Sequence, residues 1–224
     1  MTQISEKHCK KYMRMAKQVG EDNNPCYSRH IGVVVVNPRQ HRVAATGYNG
    51  PPRDTPHCDD LEYLKNVVWP QLTDAEKKRF VNITFIDQTT GCHTGNPSCV
   101  DPEAMTDEQK RDYACGIHAG CKTCPRKIVG APSGQRLELC SCAHAETNAI
   151  VNAADDLNDC VMFCWCGVPC FECTKLIVNA GIKEIWVINW GADYSSGSRW
   201  LFRKAGVKIN EHKPDYYLEG EAAS

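Results

Sequence analysis

Residues 143–189, AHAETNAIVNAADDLNDCVMFCWCGVPCFECTKLIVNAGIKEIWVIN, switch repeatedly between the helical and the extended pattern. HAETNAIVNAA, beginning at His144, reads as a helix. A strand follows over Cys160–Cys166, then a helix over Cys170–Ala180 ended by Gly181, then a strand over Lys183–Asn189. The same rhythm continues outward with a helix from about Ser198 to Ala205, ended by Gly206, and a short strand over Val207–Asn210. Strands alternating with helices predict a mostly parallel sheet with helices packed on its faces. Toward the N-terminus, Ile31–Val36 is a continuous, mostly β-branched run, as a central strand covered on both faces would be. Asn37–Gln40 reads as a turn and Arg42–Tyr48 as the returning strand of a hairpin. Ile4, Tyr12, Met15 and Val19 recur at helical spacing and suggest an amphipathic first helix. The fold class expected is α/β, with a mixed, mostly parallel sheet.

Between Asp59 and about Thr123 the rhythm is lost. Leu61, Leu64, Val68 and a Thr73-x-x-Glu76 capping box suggest short helices, and a second box opens at Thr106-x-x-Gln109. Between them lies a loop rich in Gly, Pro, Asn, Cys and His, from Thr89 to Pro102. The segment reads as an insertion at about 59–123 in a single domain of residues 1–224, too small and polar to hold itself together without metal. The tail from Glu219 to Ser224 is expected to fray.

The chain has 224 residues, a formal net charge of −1 and 15 cysteines. Near-zero charge gives no footprint for a long polyanion, so a polynucleotide is not the expected partner. MTQISEKHCKKY has no apolar signal core and no later run approaches a membrane span, so a cytoplasmic location is expected. An odd, clustered cysteine count without a secretory signal disfavours a disulfide scaffold and points to zinc.

His144, Cys170 and Cys173 can hold one Zn²⁺ and leave a fourth position open for water. Cys170 and Cys173 open a helix after a strand, where the helix dipole favours thiolate. Glu146, two residues beyond the histidine, is placed to move protons at that water. A His-x-Glu paired with a Pro-Cys-x-x-Cys is the signature of zinc nucleobase deaminases. The chemistry expected is attack of zinc-bound hydroxide on the amino-bearing ring carbon, with Glu146 carrying protons to the ring nitrogen and then to the departing ammonia. The alternative reading is a structural zinc beside an ordinary surface glutamate.

HAETNAI, PCFECTKLIVNAGIKEIWV and the early TGYNGPP resemble the deoxycytidylate (dCMP) deaminase family of the cytidine deaminase-like superfamily, over about residues 5–58 and 120–210. The resemblance implies a three-layer α/β/α fold, one catalytic zinc, hydrolysis of dCMP to dUMP and ammonia, and often a homohexamer. In that family the position of Asn49 binds the deoxyribose hydroxyl side of the nucleotide, and Ala145, inside the His-x-Glu, belongs to the same substrate-facing set. Some relatives are switched by dCTP and dTTP, which are therefore the effectors to consider.

The closer similarity is to the late-competence and phage-type branch, whose spaced cysteines are matched in order by Cys26, His57-Cys58, Cys124-Pro125-Arg126, Ser133-Gly134 and Cys140. This implies a closed structural zinc held by Cys26, Cys58, Cys124 and Cys140, with His57 as substitute ligand. Cys92, His93, Cys99, Cys115, His118 and Cys121 of the insertion could make a third zinc site, with Cys92, Cys99, Cys115 and one of His118 or Cys121 as the favoured set. The alternative for each set is buried or inert thiols. Cys166 stands where many relatives have threonine, and Trp165 either packs in the core or approaches the pyrimidine.

Arg29, Arg126 and, third, Arg53 are the cations proposed to meet the phosphate, because arginine offers it bidentate geometry. Tyr194 could cover the base by stacking. Each has an ordinary surface or packing role as its alternative. Sibling readings are a deaminase of dCTP or of a 5-modified dCMP; from another class, the chain could be a zinc-stabilised binding protein without turnover.

Overall fold

Val33, Val34, Val35 and Val36 are fully buried and alternate between two apolar clusters on opposite faces of one sheet. The computed structural model describes residues 4–23, 25–83, 105–132, 134–191 and 195–218. The chain begins with α1 (Glu6–Asn23), β1 (Gly32–Asn37) and β2 (Arg42–Tyr48). It continues through α2 (Leu61–Tyr63), a π-helical turn (Leu64–Val68), α3 (Trp69–Gln71), α4 (Asp74–Ile83), α5 (Asp107–His118), α6 (Pro125–Ile128) and a 3-10 turn (Leu137–Leu139). It ends with α7 (Ala145–Val151), β3 (Val161–Cys164), α8 (Phe171–Asn179), β4 (Glu184–Ile188), α9 (Ser196–Lys204), β5 (Lys208–His212) and α10 (Pro214–Leu218). Two units are distinguished. One holds Met1–Pro25, Arg29–Gly50 and Ala143–Ser224; the other holds Cys26–Ser28 and Pro51–Cys142 and takes in the expected insertion.

In the first unit the strand order is β2-β1-β3-β4-β5. β3, β4 and β5 run parallel, while β1 is antiparallel to both β2 and β3. The sheet is mixed, as expected, with its parallel pairings confined to the half after β3. Because successive side chains of a strand point to opposite faces, Val33 and Val35 join Met162, Cys164, Ile185 and Val187 on one face. Ala145 and Ala149 of α7, Ile177 of α8 and Phe202 of α9 cover it. Val34, Val36, Val161 and Phe163 face Tyr12, Met13 and Ala16 of α1 and Tyr217 of α10. Helix, sheet and helix thus form the three layers.

The packing of α7 on β2 depends on absent side-chain volume. A Cβ on Gly47 would collide with the carbonyl oxygen of Ala145 and the amide nitrogen of Ala149. Glycine there, and alanine at two positions one turn apart, let helix and strand approach closely. At the far end of α8, Gly181 adopts φ 76°, the left-handed conformation that commonly stops a helix.

The second unit has its own apolar cluster of Leu64, Val68, Trp69, Phe80, Ala114, Ile128 and Leu139. Both expected capping boxes are formed. Thr106 N–H donates to Gln109 Oε1 at 2.8 Å and Gln109 N–H to Thr106 Oγ1 at 3.2 Å. Thr73 N–H donates to Glu76 Oε2 at 2.8 Å, with the return bond from Glu76 N–H at 3.3 Å. Among the described residues, no helix is long and apolar enough to cross a membrane.

Candidate metal centre

His144 is the N-cap of α7 and Cys170 the N-cap of α8, so both side chains stand at helix entrances. The two helices are entered differently. α8 follows the end of β3, but α7 is entered from an isolated bridge in which Ala143 pairs with Gly50. His144 Nδ1 lies 3.3 Å from Cys173 Sγ and 3.4 Å from Cys170 Sγ. Among the described residues, His144, Cys170 and Cys173 are the one group of three or more such side chains whose ligand atoms lie within 4.8 Å of one another. Zinc bonds of about 2.0 Å to nitrogen and about 2.3 Å to sulfur at a tetrahedral angle put N and S about 3.5 Å apart. The donor spacing therefore fits a tetrahedral zinc with one position left for another ligand.

The charges agree with that use. The hydrogen bond from Cys173 pulls the Cys170 thiol down to about 4, against burial and with further help from His144 and the Cys173 amide. Cys173 is raised, first by sharing its proton with Cys170 and then by burial. One sulfur of the pair is thus already a thiolate, the form that binds metal.

Glu146, on the first turn of α7, is 4 % exposed. Burial raises its pKa, opposed by the charge of His144, its own backbone N–H and a hydrogen bond with Cys173. A carboxyl at that position can hold a proton and release it beside the cluster. Cys166 hydrogen-bonds Cys164, which with burial and the nearby Glu146 charge keeps it a neutral thiol; Arg29 acts in the opposite direction. Arg29 is itself exposed.

Asn49 is buried, with Oδ1 accepting the Ala145 N–H at 2.9 Å and Nδ2 donating to the Arg29 carbonyl at 3.4 Å. The Ala145 amide is therefore engaged within the protein. Trp165 packs on the α1 and α10 face, its ring centroid 6.4 Å from that of Tyr217, which is the core alternative of the two expected for it. Tyr194 lies outside the described residues.

Arg126 belongs to the second unit, where its guanidinium donates to the carbonyls of Gln135 at 2.8 Å and Pro132 at 3.2 Å. Arg53 is an exposed residue of the same unit. Cys26, Cys58 and Cys124 are buried there, with Cys140 half-buried. Sequence reasoning missed their neighbour Cys142, whose thiol hydrogen-bonds those of Cys140, Cys26 and Cys58 and is raised as a result. The same Cys142 contact pulls Cys140 down to about 6. The Cys-x-Cys spacing of 140 and 142 was the available signal. His57 Nδ1 is 2.8 Å from Asp59 Oδ1, while its Nε2 is buried without a hydrogen-bond partner.

Of the third expected set, Cys92, His93 and Cys99 lie outside the described residues. Cys115 is fully buried in the apolar cluster, where burial pushes its thiol up to about 12. His118 is buried against the Phe80 ring with Nε2 2.9 Å from the Phe80 carbonyl oxygen. Cys121 is disulfide-bonded and in that state offers no thiolate.

Residues 6–189 match the family model of the cytidine and deoxycytidylate deaminase zinc-binding region. The deoxycytidylate deaminase of Schizosaccharomyces pombe is 26% identical over 206 residues, 91% of this chain and 43% of the relative. The human deoxycytidylate deaminase is 40% identical over 75 residues, 32% of this chain and 42% of the relative. The chain thus spans less than half the length of these curated relatives. A crystal structure of the dCMP deaminase of cyanophage S-TIM5 with dCMP and dUMP superposes with a TM-score of 0.50 at 17% identity, over 93% of this chain and 99% of that one. At that identity the likeness bears on the fold.

Proposed function

For a chain that belongs to the cytidine and deoxycytidylate deaminase family, we propose hydrolytic deamination of a deoxycytidine nucleotide, dCMP to dUMP and ammonia. The observation that carries this reading is the convergence of His144 Nδ1 and two cysteine sulfurs beside the buried carboxyl of Glu146. His144, Cys170 and Cys173 would hold the zinc. Bound there, it supplies Lewis-acid activation of a water at neutral pH. Glu146 takes one proton from the attacking water and delivers it to the ring nitrogen, then takes the second from the added hydroxyl and gives it to the departing amine, which leaves as ammonia. Such general acid–base help is worth about 10²–10⁴-fold in rate. The buried setting keeps that carboxyl ready to hold the proton between transfers. Arg29, the exposed cation beside Cys166, is the residue of this unit assigned to the nucleotide phosphate. Asn49 is assigned to the sugar through the hydrogen-bonding capacity its two protein contacts leave over.

We also infer a second, structural zinc in the other unit, held from Cys26, Cys58, Cys124 and Cys140. Its support is the burial of Cys26, Cys58 and Cys124, the half-burial of Cys140 and their mutual electrostatic contact. A homo-oligomer responding to dCTP and dTTP belongs to the same reading.

Incubation with dCMP, dCTP, deoxycytidine and 5-substituted dCMP, following ammonia release, tests the assignment. Fastest turnover of dCMP is expected. No turnover of any of them, or equal turnover by Glu146→Ala, would remove the deaminase reading.

A further inference from the structure

Two threonines beside the metal-ligand candidates use their hydroxyls differently. Thr174 of α8, fully buried, bonds back along its own helix, its Oγ1 donating to the Cys170 carbonyl four residues earlier at 2.9 Å. That back-bond is a common use of a threonine inside a helix. Thr147 of α7 makes no such bond among the described residues. The carbonyl four residues before it, that of Ala143, accepts the Gly50 N–H at 3.3 Å. The Thr147 hydroxyl is turned instead toward the neighbouring helix, where its Oγ1 lies 3.8 Å from Cys173 Sγ. We propose that Thr147 is a positioning residue for the catalytic metal, donating its hydroxyl hydrogen to the Cys173 sulfur while that sulfur holds zinc. This deepens the zinc reading of His144, Cys170 and Cys173 given above and rests on it.

The geometry around the two sulfurs supports the assignment. His144 and Thr147 are three residues apart, so they lie on one side of the start of α7. His144 Nδ1 is 3.3 Å from the same Cys173 sulfur. This helix therefore reaches Cys173 twice, once with a ligand nitrogen and once with a hydroxyl. Cys170 is served from within α8, its sulfur accepting the Cys173 N–H at 3.5 Å. Each candidate sulfur thus faces a hydrogen-bond donor, one from the backbone and one from the side chain of Thr147.

A donor to a metal-bound thiolate takes up part of its negative charge. The sulfur then gives less electron density to the metal, which stays the stronger Lewis acid, and the hydrogen bond fixes the direction from which the sulfur binds. Valine at the same position keeps the branched shape and has no hydrogen to give. Serine keeps the hydroxyl and loses only the methyl group.

Cobalt spectra and zinc affinity of the whole chain test this without an activity assay. The protein is stripped, reloaded with Co²⁺ and compared with Thr147→Val, Thr147→Ala and Thr147→Ser. The bands that His144→Ala loses identify this site. Its sulfur-to-cobalt charge-transfer band is expected to move to longer wavelength in Thr147→Val and Thr147→Ala and to keep its wild-type position in Thr147→Ser. Zinc affinity, by competition with a chromogenic chelator, is expected to fall about 10–100-fold in Thr147→Val and to be kept in Thr147→Ser. Alanine removes the hydroxyl without the branched side chain, so the comparison survives a valine variant that fails to fold. A wild-type band and wild-type affinity in Thr147→Val and Thr147→Ala overturn the role of Thr147 and leave the zinc reading standing. A shift in Thr147→Ser as large as that in Thr147→Val also overturns it, because packing and not the hydroxyl would then be the cause. Wild-type protein with no cobalt band that His144→Ala loses overturns the zinc reading together with it.

Discussion

The side-chain oxygen of Asn49 accepts the backbone N–H of Ala145 at 2.9 Å. The first turn of a helix has N–H groups without intrahelical partners, and the N-cap of α7, His144, makes no side-chain cap bond. A residue just beyond β2 therefore does the capping, and it leaves the imidazole of His144 available to face the two cysteines.

Asn49→Ala should remove that bond and the one to Arg29, destabilising the protein by about 1–2 kcal/mol. Urea denaturation monitored by far-UV circular dichroism measures it. An unchanged midpoint would show that Asn49 does not hold the helix.

Gly47→Ala should be worse tolerated than its size suggests, because the new methyl meets backbone atoms of Ala145 and Ala149 that cannot rotate away. A loss of about 1–3 kcal/mol is expected. Gly116, inside α5, is the control, since a Cβ there meets nothing within 4 Å. Gly116→Ala should stabilise by about 0.5–1 kcal/mol in the same assay. Equal effects of the two substitutions would contradict the close approach of β2 and α7.

Glu146→Gln should lower the deamination rate by about 10²–10⁴-fold and leave zinc content unchanged. Chelation should abolish ammonia release in the wild type, and added zinc should restore it. A Glu146→Gln protein that had also lost its zinc would place Glu146 among the ligands and not at the proton.

Glu76 gives a pH dependence of known sign. Burial alone would raise its pKa, but the backbone and hydroxyl of Thr73 and the guanidinium of Arg136 outweigh that and hold it below the usual carboxylate range. Arg136 Nη1 reaches its two oxygens at 2.6 and 2.7 Å. With the folded value depressed, the extra stability is present above the unfolded value, about 4.3. It is lost as pH falls through the lower folded value. Glu76→Gln should therefore destabilise the protein near pH 7 and have little effect once acid has protonated the wild-type residue. Denaturation midpoints of both proteins across the acid range test this, and a constant difference down to the lowest pH would refute it.

Patterns that act locally were readable from the chain alone. Val33–Val36 announced a strand buried on both faces because an unbroken β-branched run has no solvent-facing positions. Thr73 with Glu76, and Thr106 with Gln109, announced helix starts because each box closes within four residues. His144, Glu146, Cys170 and Cys173 were legible because their chemistry depends on residue type and spacing. Long-range choices were hidden. α10 is a short helix whose place is set by Tyr217, buried and donating its hydroxyl to the Val187 carbonyl at 3.0 Å. Nothing near Pro214 in sequence announces that partner. The surroundings of Cys115 and His118, buried beside Phe80 and other apolar residues, were not readable from residue type. Cys142 was overlooked although its spacing from Cys140 was readable, because its other partners, Cys26 and Cys58, are far away in sequence.

Placing His144 and Cys170 at helix N-caps ties folding to occupancy. An ion bridging them would clasp the entrances of α7 and α8 together, so its binding free energy would add to the resistance of both helices to fraying. Replacing either ligand would then loosen a helix entrance as well as empty the site. A heat-denaturation curve that rises further with added zinc in the wild type than in His144→Ala would report on these ligands without an activity assay.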